Sequence, residues 1–305
     1  MMVPDQTMRA ATFEDAAAVA GLIYACDVAE GVPGWPVSAT DVIEDWERPR
    51  FDVSRDTRLY LSGDRLVAFG EVWEKESASI HEIFCSVDPD HLGRGLGSAL
   101  IDWSEERVGN ATLRNFVSGV NHEAKAMLEA RGYVAVRHFW HMEIELEGNE
   151  DGGSEPEGIT IRQIVGEDDA RSVHAVMTEA FAGQWGIVPE PFEPWWQGFS
   201  TRSDFDPELI LLAETDDGGA VGALAGQKGE GYGWVRELGV LPSGRGLGVG
   251  AALLRHSFAA FAERGYPKVL LNVDAANPTG ATRLYRRVGM RQIRQFDCYE
   301  KIVRS

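Results

Sequence analysis

The stretch WVRELGVLPSGRGLGVG, residues 234–250, decides how the rest of the chain is read. An apolar, β-capable run ends in Val240, Pro242 breaks it, and Gly246, Gly248 and Gly250 lead into the helical spacing of Ala251, Leu253, Leu254, Phe258 and Phe261. The order is strand, glycine loop, helix start. Unpaired N–H groups and the positive end of the helix dipole attract a phosphate at such a point, and glycines let the backbone close around it. The loop is therefore read as a pyrophosphate cradle. A Walker loop is excluded because no Gly-Lys followed by Ser or Thr is present there. A dinucleotide fold is excluded because the spacing is Gly-x-Gly-x-Gly rather than Gly-x-Gly-x-x-Gly.

A glycine-rich turn alone is as readily a plain turn, and the downstream segment changes that. Val269 to Val273 reads as a strand, Asn277 opens a helix carrying Ala281, Leu284 and Tyr285, and Gly289-Met290 ends it. Arg245, Gly248 and Gly250, with Val240 and Pro242 upstream, resemble motif A of the GCN5-related N-acetyltransferases (GNAT). The later segment resembles that family's Asn-x-x-x-Ala-x-x-Leu-Tyr-x-x-x-Gly-Phe run, with Met290 where Phe is usual. The resemblance implies an α/β fold of the α+β mixed-sheet kind, a mostly antiparallel twisted sheet flanked by helices. It also implies acetyl-CoA as cosubstrate, no metal, and transfer of an acetyl group to a primary amine of a small molecule.

Looking outward, the chain repeats itself. Arg9, Glu14 and Asp15 recur as Arg162, Glu167 and Asp168, displaced by 153 residues; Val87, Pro89, Gly95, Gly97 and Leu100 recur at the same displacement as Val240, Pro242, Gly248, Gly250 and Leu253. Two tandem GNAT folds are expected, an N-terminal domain over 1–147 and a C-terminal domain over 159–305. Between them residues 148–158 are polar and acidic, a solvated linker. Each copy reads as strand, helix, aromatic-rich connection, hairpin, strand into the glycine loop, helix, strand, helix and last strand. In copy one the connection holds Val32, Pro33, Trp35, Pro36 and Trp46; in copy two it runs from Gln184 to Trp196.

The copies differ in chemistry. Leu92 stands where copy two has Arg245, and Leu128 where it has Tyr285. In the family the tyrosine is often the acid that returns a proton to the departing thiolate, which Leu cannot do. The N-terminal copy is therefore expected to be non-catalytic and the C-terminal copy catalytic, a layout similar to the mycothiol synthase family. Copy one keeps Val87, Gly93, Arg94, Gly95, Leu96 and Gly97, so two readings of it stay open: a coenzyme site without turnover, or a relic that only packs.

An amine is cationic near neutral pH, so a base must take a proton before attack. Glu237, three residues before Val240 on the strand that in the family lines the acceptor side, is the first candidate; Asp274 is the second, and an ion pair of Glu237 with Arg236 is the plain structural alternative. Tyr285 is the candidate acid. Leu238, Gly239, Val240, Arg245, Gly246, Leu247, Gly248, Val249, Gly250 and Asn277 are the candidate coenzyme contacts, the N–H of Leu238 or Val240 polarising the thioester carbonyl. Arg283, Arg286 and Arg287 are candidates for the ribose phosphate or for a solvated helix face. Trp185, Trp195 and Trp196 are candidates for the acceptor pocket, or, with Phe192, for a domain interface.

Composition bounds the partners. The 305 residues carry a formal net charge of −19, which opposes nucleic acid and anionic membrane surfaces, and with them a transferase that takes an aminoacyl-tRNA donor. Cys26, Cys85 and Cys298 are far apart and suggest no disulfide framework or metal site. Residues 1–20 lack a signal-peptide core and no run of 18 apolar residues occurs, so a cytoplasmic location is expected. The alternative function is a non-catalytic acyl-CoA-binding sensor.

Overall fold

The computed structural model describes residues 6–31, 37–75 and 79–304; Val32, Pro33, Trp35 and Pro36 lie outside the described residues. The chain divides into two compact units, one of residues 1–138 with 294–305 and one of residues 139–293.

The first unit contains β1 (Gln6–Arg9), α1 (Ala16–Ala29), α2 (Ala39–Trp46), α3 (Val53–Asp56), β2 (Thr57–Ser62), β3 (Arg65–Glu74), β4 (Ile80–Val87), α4 (Leu96–Val108), β5 (Ala111–Ser118) and α5 (His122–Ala130). Strand β6 (Val134–Glu145) follows and begins the second unit at Phe139. That unit continues with β7 (Ile159–Gln163), α6 (Gly166–Ala180), α7 (Phe192–Ser200), β8 (Ile210–Thr215), β9 (Ala220–Lys228), β10 (Gly233–Val240), α8 (Val249–Glu263), β11 (Lys268–Asp274) and α9 (Ala281–Arg287). Strand β12 (Arg291–Val303) closes the chain's last turn of structure and belongs to the first unit from Arg294 onward.

Each unit is a mixed sheet with helices on both faces. In the first the strand order is β1-β2-β3-β4-β5-β12, in the second β7-β8-β9-β10-β11-β6. Neighbours are antiparallel except β4 with β5 and β10 with β11, which are parallel. The strand that ends each sequence repeat thus completes the sheet of the other unit. Division by repeat, at 147 and 159, and division by compactness follow different lines.

The layers follow from the side-chain alternation of strands. On β9, Ala223 and Ala225 face α6 and α7, while Leu224 faces α8, and the strand is buried along almost its whole length. Helix α8 turns Leu253, Leu254, Phe258 and Phe261 onto the sheet, all at most 3% exposed. Each such side chain contributes about 1.5–3 kcal/mol by leaving water. In the first unit, Val19, Leu22 and Trp46 pack with Leu59 and Phe69 on one face, and Leu100, Ile101 and Leu113 with Val67 and Val72 on the other. Helix α2 starts on a reciprocal cap: Ser38 Oγ accepts from Asp41 N at 3.1 Å, and Asp41 Oδ2 accepts from Ser38 N at 2.8 Å.

The connection read from Gln184 to Trp196 contains the helix α7. Pro191 sits at its N-cap and Pro194 within its first turn, where a missing N–H costs nothing.

Candidate active site

Strand β10 carries a β-bulge between Val235 and Glu237, with Arg236 the extra residue. Before the bulge β10 pairs with β11, Gly233 to Val235 against Val269 to Leu271. Beyond it β10 stays paired with β9 only, and the two parallel strands part. Leu241 N donates to Val221 O on the β9 side at 2.9 Å. Since N–H direction alternates along a strand, the N–H groups of Val240 and Leu238 point to the opened side.

The glycine loop begins where that edge ends. Arg245 is extended and sends its Nε to Val240 O at 3.2 Å. Gly246 at φ +79° and Gly248 at φ +90° take left-handed conformations that other residues resist, and Gly248 is the N-cap of α8. Ala251 and Ala252 N both donate to Gly248 O at 3.0 Å, so the N–H groups just before them have no acceptor within the helix. A Cβ on Gly250 would stand 2.9 Å from Leu284 Cδ2. The loop is thus locked against α9, one residue before Tyr285. A cradle of this kind suits a pyrophosphate.

Glu237 is opposite Ala225 and so faces α6 and α7. Its side chain is 24% exposed, and the Arg236 Nε lies 3.8 Å from Oε1. Burial pushes the carboxyl above the usual carboxylate range, with Arg236, the Trp195 indole and His174 pulling the other way. Tyr285 belongs to the cluster on the α8 and α9 side, is 7% exposed, and its hydroxyl makes no hydrogen bond among the described residues. Burial raises it to about 12, which keeps the phenol protonated at neutral pH. A carboxyl and a phenol therefore lie on opposite sides of β10, whose edge opens beyond the bulge.

Other candidates fall elsewhere. Asp274 Oδ1 accepts from Ala276 N at 2.8 Å, shaping the turn after β11. Asn277 lies before α9, whose N-cap is Gly280; its Oδ1 accepts from Thr279 N and its Nδ2 donates to Gln184 Oε1 at 3.2 Å. Trp195 is buried against Phe199 and His174, with ring centroids 5.7 and 5.1 Å apart. Trp196 is partly buried and stacks on Phe192. Trp185 is partly exposed and approaches Phe139 of β6 at 6.1 Å. Arg286 lies over Trp140, also of β6, at 5.2 Å. His174, Phe139 and Trp140 were not singled out from the sequence: the first is one histidine among helix residues, and the other two arrive through strand exchange.

The loop of the first unit has the same backbone. Gly93 and Gly95 have φ of +72° and +82°, Gly95 is the N-cap of α4, and Leu92 is extended like Arg245. Its surroundings differ. Asp88 and Asp90 flank it where the second unit has Leu241 and Ser243, and Leu128 is 1% exposed in the core. No cluster of three or more metal-ligating side chains occurs among the described residues, and none of their helices is long and apolar enough to cross a membrane.

Comparison with known proteins gives a consistent result. The acetyltransferase (GNAT) family matches residues 22–133 and 170–290. A mycothiol acetyltransferase of Pseudarthrobacter chlorophenolicus is 34% identical over 75% of this chain and 72% of its own length. One of Cellulomonas flavigena is 29% identical over 85% and 78%. Among solved structures, a GCN5-related N-acetyltransferase from Sphaerobacter thermophilus superposes with a TM-score of 0.86 at 33% identity, covering 100% of this chain and 98% of that one. A tandem GNAT protein from the clavulanic acid biosynthesis pathway, at 17% identity, has a TM-score of 0.76 over 98% of this chain and 99% of that one.

Proposed function

The chain belongs to the acetyltransferase (GNAT) family and is an acyl-coenzyme A N-acetyltransferase, and on that premise we propose that it acetylates the primary amine of a small molecule from acetyl-CoA within residues 139–293. The observation that carries this reading is the bulge at Arg236, which puts Glu237 on an opened strand edge next to a glycine cradle. The relatives' name, mycothiol acetyltransferase, supports a small-molecule acceptor.

Acetyl-CoA, when bound, supplies an activated acetyl thioester. Gly246, Leu247, Gly248, Val249 and Gly250 hold its pyrophosphate through backbone N–H groups, with Arg245 adding a positive charge. The Leu238 and Val240 N–H groups, turned to the open edge, are oriented to polarise a carbonyl. Glu237 takes a proton from the acceptor ammonium, its raised pKa bringing it closer to the working range. Tyr285, kept protonated by its burial, gives a proton to the leaving sulfur. The first unit keeps the loop, Val87 to Gly97, but has Leu92 where the second unit has Arg245, and its two flanking carboxylates, Asp88 and Asp90, are both engaged by Arg65.

Two measurements test the assignment. Tyr285→Phe is expected to lower kcat about a hundredfold in a thiol-release assay with a panel of small amines, while coenzyme affinity by calorimetry stays as it was; an unchanged kcat removes Tyr285 from the mechanism. Gly250→Val drives side-chain atoms into Leu284 and is expected to weaken coenzyme binding at least tenfold, corresponding to about 1.4 kcal/mol; unaltered binding would show that the cradle lies elsewhere.

A further inference from the structure

Consecutive residues of a regular strand point to opposite faces of the sheet. The bulge in β10 breaks that rule for Arg236 and Glu237, whose side chains both reach the face covered by α6 and α7. The Arg236 guanidinium carbon stands 4.7 Å over the ring of Phe199, and the Glu237 carboxyl meets the Trp195 indole of the same helix. Opposite charges on one face ordinarily close into a hydrogen-bonded pair, and the planar arginine fork suits a carboxylate well. This pair stays open. Arg236 Nε is 3.8 Å from Glu237 Oε1, beyond hydrogen-bond length.

The setting of Phe199 explains the gap. The side chain is fully buried. Trp195 lies nearly parallel to it, with centroids 5.7 Å and planes 9° apart, and Phe205 meets it edge-on at 5.8 Å. A ring fixed in this way presents a steady negative face, to which a guanidinium is attracted most strongly where water is scarce. The first unit supplies a contrast. There β4 runs against β3 from His81 to Val87 without a register shift, and Ile83 and Phe84 stand at the positions of Arg236 and Glu237. Bulge, cation and acid are absent together from the copy that lacks the tyrosine.

We propose that Phe199 is a positioning residue for acetyl transfer: its ring holds Arg236 off Glu237, leaving the carboxylate open to the acceptor's proton. The proposal rests on Glu237 being the base. Without the ring, the guanidinium swings into a bidentate contact with the carboxylate, which stabilises the charged form and weakens the base.

The charged and titratable groups around the carboxyl are few. Arg236 lies on its own strand and His174 on α6, and both favour the ionised form against the larger opposing effect of burial. His174 is tied through Nε2 to Glu190 O at 2.8 Å, away from Phe199's contact with Arg236. From β9 the opposing residue is Ala225, and Glu193 of α7 is engaged by Arg171. A change at Phe199 therefore reaches Glu237 by way of Arg236.

The test titrates Glu237 directly, by carbon-13 NMR of the full chain labelled at the glutamate side-chain carboxyl carbon; the resonance missing from Glu237→Gln identifies it. Phe199→Leu keeps an apolar filling but removes the ring, and the Glu237 midpoint is expected to move about one pH unit lower. In Phe199→Leu/Arg236→Gln no guanidinium is left to close, and the midpoint does not fall below that of the parent. A packing defect alone gives no such difference between the two variants. The acidic limb of kcat/KM, measured with the panel amine that the parent turns over fastest, is expected to follow the midpoint in Phe199→Leu. A midpoint unmoved in Phe199→Leu, or lowered equally in both variants, overturns the proposal and leaves the assignment of Glu237 standing. A midpoint that moves while the limb stays shows that Glu237 is not the base, and the positioning role falls with that reading. If Phe199→Leu does not fold, Phe199→Met, whose flexible chain fills irregular gaps, replaces it with the same expectations.

Discussion

Glu237→Gln is expected to reduce kcat by about 10²- to 10⁴-fold, the range of a lost general base, with coenzyme affinity retained. Glutamine keeps the size and the hydrogen-bonding oxygen, so the bulge and the Trp195 contact survive while proton acceptance is lost. The pH profile sharpens the test. Burial raises the Glu237 carboxyl, so in the parent enzyme kcat/KM falls as pH drops through that raised value and the base becomes protonated. In Glu237→Gln this acidic limb disappears. Should the limb persist at full rate, the base lies elsewhere, with Asp274 on the neighbouring strand the next residue to replace.

The second large effect concerns fragments. A chain cut at the linker, 159–305, carries every candidate catalytic residue but lacks β6, whose residues Phe139 to Glu145 pair with Asp274 to Lys268 of β11. Met142, fully buried, and the flanking Trp140, Ile144 and Leu146 leave the core with it. Loss of one buried Met side chain alone costs about 2–5 kcal/mol, and the unpaired β11 ladder adds to it, against a total stability of about 5–15 kcal/mol. This fragment is expected to be unfolded or aggregated. The fragment 134–293 keeps β6 and is expected to melt cooperatively by circular dichroism. A cooperative transition in 159–305 together with none in 134–293 would contradict the strand exchange.

How much of this was legible beforehand varies by residue. The glycine loop is local, and its residue types fix the turn and the start of α8 without outside help; the helix expected to open at Asn277 begins only at Ala281, because Asn277 shapes a turn with Thr279 and Gly280 takes the N-cap. The helix α7 was hidden by Pro191 and Pro194, which argue against helix inside one but are tolerated in its first turn. The bulge at Arg236 leaves no mark in the sequence, since an extra residue in one strand is visible only against its partner. Strand exchange was equally hidden: β6 and β12 both read correctly as terminal strands, but a strand's pattern does not say which edge it joins.

The exchange of strands also sets a timetable for synthesis. Ser118 waits for Phe296, 178 residues later, before β5 gains its neighbour, which at about 5–20 residues per second is roughly ten to thirty-five seconds on the ribosome. Residues 139–293 are all made in that interval, so the half translated second closes its sheet first. Until then the nascent chain presents an open edge of eight residues, Ala111 to Ser118, to whatever other chains are near. Slow codons late in the message would lengthen that exposure, so the strand exchange ties the risk of edge-to-edge association to translation speed across the last third of the chain.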